Sequence, residues 1–140
     1  MKEIKLETDV AEYRLNDKCS VFFNPADPVF VGRVYDALEK LKVSEDTKNK
    51  DLATLKGKGR EVFAYLKKLG QETRATLDEL LGEDTCKQLF GNVSVYAYAG
   101  GLPLWLNLIL AIIDELDEGV KRQHALQDEQ IAKYINKYKR

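Results

Sequence analysis

The chain has 140 residues, 32% of them charged and 44% hydrophobic, and its 22 Lys and Arg nearly balance its 23 Asp and Glu for a formal net charge of −1. That length suits one domain with a single sizeable core, and the balance argues against the broad basic footprint of a nucleic-acid-binding domain. Three prolines and the lack of Ser-, Gly- or Gln-rich tracts argue against long disorder.

MKEIKLETDV at the start lacks the apolar stretch of a signal peptide, so a protein kept in the cytoplasm is expected. Cys19 and Cys86 fit no CxxC or Cys/His ligand spacing, which predicts two reduced, partly buried thiols. Ile4 and Leu6 alternate with charged residues and predict a short half-buried strand. Next come two odd-numbered apolar sets, Ala11, Tyr13, Leu15 and Cys19, Val21, Phe23, on either side of Asn16-Asp17-Lys18. A three-residue loop pairs Leu15 with Cys19, Tyr13 with Val21 and Ala11 with Phe23. A two-residue loop would put the two sets on opposite faces, so the three-residue loop is predicted. In that register Phe22 faces outward as a candidate contact residue.

Asn24-Pro25-Ala26-Asp27-Pro28 ends the strands, with Asp27 as N-cap and Pro28 as the first helical residue. Phe30, Val31, Val34, Tyr35, Leu38 and Leu41 then mark an amphipathic helix over about residues 28–42. Residues 44–58 are strongly polar and read as an exposed helix or a mobile connection. Val62, Phe63, Leu66 and Leu69 define a helix near 59–69 that Gly70 should stop, and Thr73 to Leu81 a separate short one closed by Gly82. Asp84 is a candidate cap for another short helix, closed by Gly91. Asn92 to Ala99 is compatible with a strand, an extended lead or a helix. Gly100, Gly101 and Pro103 predict a turn before a helix whose apolar run, Leu104 to Ile113, should be core with Trp105 near its edge. That run is too short to span a bilayer, which takes about 20 residues. The last helix then turns polar, carrying Tyr134 and Tyr138 four residues apart on one face.

None of the chemical motifs reaches a signature. Lys56-Gly57-Lys58-Gly59-Arg60 lacks the GxxxxGK[ST] spacing of a phosphate loop and reads as a joint. His124 is the only histidine, which leaves a metal site or a Ser/His/Asp arrangement unsupported. Asp114, Glu115, Asp117 and Glu118 mark where a buried segment meets water, although paired carboxylates can do acid–base work when their environments differ. Lys133, Lys137, Lys139 and Arg140 with the two tyrosines offer either a nucleic-acid contact or a tyrosine face for docking into a protein groove. Protein docking is the favoured reading, because no other basic patch accompanies the tail.

Three stretches taken together, FNPADPVFVGRVYDAL (23–38), LFGNVSVYAYAGGLPLWLNLILAIIDELD (89–117) and IAKYINKYKR (131–140), resemble small proteins encoded in the tail modules of phages and prophages of Gram-positive bacteria. Such proteins are described as tail assembly chaperone-like, and the likeness weakens through residues 44–75. It implies a non-enzymatic protein without cofactor or metal that binds tape-measure or tail-tube protein in the host cytoplasm, with homo-oligomers left open. A structural subunit of the tail, present in the virion, and a small nucleic-acid-binding regulator are the alternatives.

The expected architecture is α+β and a single domain over residues 1–140. A small antiparallel hairpin or three-strand sheet (1–24) packs on a mostly helical body (28–140) that ends in a long C-terminal helix. The candidate protein contacts are Phe22, Trp105 if exposed, Tyr134 and Tyr138.

Overall fold

The computed structural model describes residues 1–138, with side chains as far as Lys137. Its sheet is a two-strand hairpin, β1 (Ala11–Leu15) and β2 (Cys19–Phe23), in the register the apolar pattern demands: Leu15↔Cys19, Tyr13↔Val21, Ala11↔Phe23. Asn16 and Asp17 both take positive φ in the loop, a conformation these two residues tolerate better than most. On the inner face, Phe23 stacks between Tyr13 at 4.3 Å and Phe30 at 4.5 Å, which fastens the hairpin to the first helix.

The expected strand around Ile4 and Leu6 is absent. Residues 1–10 have no regular structure, and these two side chains are 79% and 78% exposed. Two apolar residues among charges bury too little surface to offset the cost of ordering a strand. The segment is held at Thr8, whose carbonyl accepts from Asn24 Nδ2 at 2.9 Å, and at Asp9, which accepts from Gln123 Nε2 at 2.7 Å.

Helix α1 spans Pro28–Thr54, with Asp27 Oδ1 accepting from the Val29 N–H at 3.0 Å as the N-cap. It therefore runs twelve residues past the predicted end. Lys48 explains why: it continues the buried stripe of Phe30, Val34, Ala37 and Leu41 and is itself buried. Its ammonium bonds Glu45 at 2.7 Å and lies 4.9 Å from the centre of the Tyr96 ring. The polar stretch thus supplies a paired charge to the interior instead of a solvated face. Leu55 to Lys58 turn the chain, with Gly57 at positive φ, so the glycine-rich Lys56–Arg60 segment is a helix–helix joint.

Helix α2 (Gly59–Leu81) passes through Gly70 unbroken, correcting the two helices expected there. An interior glycine costs about 1 kcal/mol relative to alanine, and burial of Thr73, Leu77 and Leu80 on the same helix outweighs it. Gly82 and Gly91 close α2 and α3 (Thr85–Phe90) at positive φ, as their positions suggest. Asp84 makes no side-chain cap to α3. Asp78 does so from across the turn, its Oδ1 accepting from the Cys86 N–H at 2.9 Å.

Residues 92–97 form turns, and Tyr98–Ala99 (β3) pairs with Leu102–Pro103 (β4) across Gly100-Gly101, both at positive φ. Helix α4 (Leu104–Tyr138) follows directly. Its first two N–H groups are satisfied by backbone: Leu104 N donates to Ala97 O at 2.9 Å and Trp105 N to Val95 O at 3.1 Å. Trp105, Leu108, Ile109, Ile112 and Leu116 point inward. Leu110 and Ala111 face out, so α4 covers the core with one stripe instead of being buried all round. No described helix is long and apolar enough to cross a membrane.

Candidate functional site

The four predicted contact residues end up in different places. Phe22 sits on the outer face of the hairpin, opposite Glu12, and is 64% exposed. Trp105 is buried, at 1% exposure, so the condition attached to it fails and it is a core residue. It begins the inward stripe of α4, and its indole N–H finds no acceptor among the described residues. Tyr134 is 66% exposed on the last turns of α4. Tyr138 belongs to the same helix, but its side chain lies outside the described residues.

Tyr134 shares its face of α4 with Ile131 and Ile135, which are 48% and 54% exposed. The spacing of three and four places these side chains in one patch. Residues 124–137 are all exposed, a helical projection about 21 Å long at 1.5 Å per residue. Gln123, through its bond to Asp9, marks where α4 leaves the body. Lys133 and Lys137 follow one edge of the apolar patch, and Lys133 bonds Glu129 at 3.3 Å.

A second feature was not foreseen from the sequence. Between the hairpin, α3 and the first half of α4 lies a cleft of about 490 Å³. Tyr13, Leu15 and Phe23 form one wall, Leu89 and Phe90 the back, and Leu104, Leu108, Ala111 and Ile112 the floor. Arg14, Asn16, Asn107 and Glu115 are its polar members. The size falls within the range of ligand pockets, but the lining is largely apolar and carries no nucleophile–base pair. A further groove of about 620 Å³ runs along α2 over Gly70, flanked by Phe63, Leu66 and Arg74 and facing Val95 and Tyr96. Phe63, one of the residues whose spacing marks this helix, is 74% exposed beside it.

Among the described residues, the side chains with raised pKa values are Cys19, Tyr65, Cys86 and Tyr96, of which Tyr96 borders the groove along α2. Burial pushes the Cys86 thiol up to about 12, with the neighbouring Asp78 charge adding to it. Burial raises the Cys19 thiol as well. Both cysteines are free and buried, and neither is a ready nucleophile. Tyr96 Oη shares a 2.7 Å hydrogen bond with Thr73 Oγ1 and carries the Lys48–Glu45 pair on its ring side, a structural polar cluster linking α1, α2 and the 92–97 turns. His124 is exposed on α4. No group of three or more His, Cys, Asp or Glu among the described residues is placed to hold a metal.

Comparison of the chain with family models, curated proteins and solved structures finds no match in any of the three.

Proposed function

We propose that this protein is a non-enzymatic tail assembly chaperone-like protein that binds tape-measure or tail-tube protein while phage tails are built. The resemblance of residues 23–38, 89–117 and 131–140 to tail-module proteins supports the family. The observation that carries the binding role is the projecting half of α4. It holds Ile131, Tyr134 and Ile135 exposed on one face of a helix that no part of the body covers. A tape measure is a long, largely helical, apolar client, and helix-on-helix docking reads anchors at this spacing.

Co-expression with a tape-measure fragment tests the reading. A soluble complex is expected with the native chain, and Ile131→Asp with Ile135→Asp should lose it while the body stays folded. A client that remains insoluble beside well-expressed native protein, together with no co-purifying tube protein, overturns the proposal. Mass spectrometry of purified particles separates the chaperone from the structural-subunit alternative, since a chaperone is absent from the finished tail.

A further inference from the structure

We draw no further inference here: the strongest candidate, the apolar cleft between the hairpin, α3 and the first half of α4, carries Arg14 and Glu115 of opposite charge in its lining, and nothing in the structure shows what covers it.

Discussion

At Gly119 a Cβ would lie 2.5 Å from Pro25 Cβ and Cγ, so the absence of a side chain there is what lets α4 pass against the turn that follows the hairpin. Gly70 is also inside a helix and buried, yet a Cβ built on it meets nothing within 4 Å, because it opens toward the groove along α2. The two positions should therefore respond in opposite directions to one substitution. Gly119→Ala forces the helix or the proline ring to move and should cost about 1–3 kcal/mol, the usual penalty of overpacking. Gly70→Ala should add up to about 1 kcal/mol by removing the entropy penalty of an interior glycine. Urea unfolding of both variants checks the pair, and equal shifts of the same sign would refute this account of their packing. Lys48 makes a related point about residue type: a lysine in a polar stretch reads as solvated, and here its charge is matched by Glu45 and covered by Tyr96.

Among the elements, α4 combines two helices' worth of physics in one. Its first half is stabilised by burying Trp105, Ile109, Ile112 and Leu116. Its second half has no such packing, and isolated helices shorter than about 12–15 residues are marginal in water. Hydrogen exchange should show this directly. In the dilute native protein, amides of residues 124–137 are expected to exchange many-fold faster than those of 105–118, and a bound partner should slow them. Equal protection of both halves in the monomer would mean that α4 behaves as one cooperative unit and that its projection needs no partner. The small helix α3 shows the reverse dependence, since its N-terminus is capped by Asp78 from α2 and not by its own Asp84.

For the whole molecule, the thiols and phenols that the fold shifts upward make stability depend on pH in the alkaline range. Cys86 and Tyr65 are both raised to about 12 from 9.0 and 10.0 respectively, with burial the largest cause of each; for Tyr65 the hydrogen bond to Asp51 adds to it. Tyr96 and Cys19 are raised too, chiefly by burial. A group whose pKa is higher folded than unfolded favours the fold while protonated in both states, and this contribution disappears as pH climbs through the folded value. The raised thiols and phenols are thus expected to make the unfolding midpoint in urea fall between about pH 9 and pH 12. Cys86→Ala should make that fall shallower. An equally steep fall in the variant would exclude the thiol as a cause.

Local chemistry was enough to read the hairpin register, the Asp27–Pro28 helix start, the glycine caps at Gly82 and Gly91 and the turn before α4. Each depends on residues close in sequence, through side-chain alternation, fixed φ or a cap, and the α+β architecture follows from them. Long-range packing decided the rest. Whether 44–54 is helix depended on Tyr96 and Glu45 meeting Lys48, and whether Gly70 breaks α2 depended on what the helix packs against. Whether Trp105 is core or contact depended on which side of α4 the body covers. Of the candidate surface, Phe22 was visible in the strand alternation and the Tyr134 face in helical spacing. The cleft was not, because Tyr13, Phe90 and Leu108 become neighbours only when hairpin, α3 and α4 assemble. Sequence periodicity determines which faces are apolar; only the tertiary structure decides which of those faces remain uncovered.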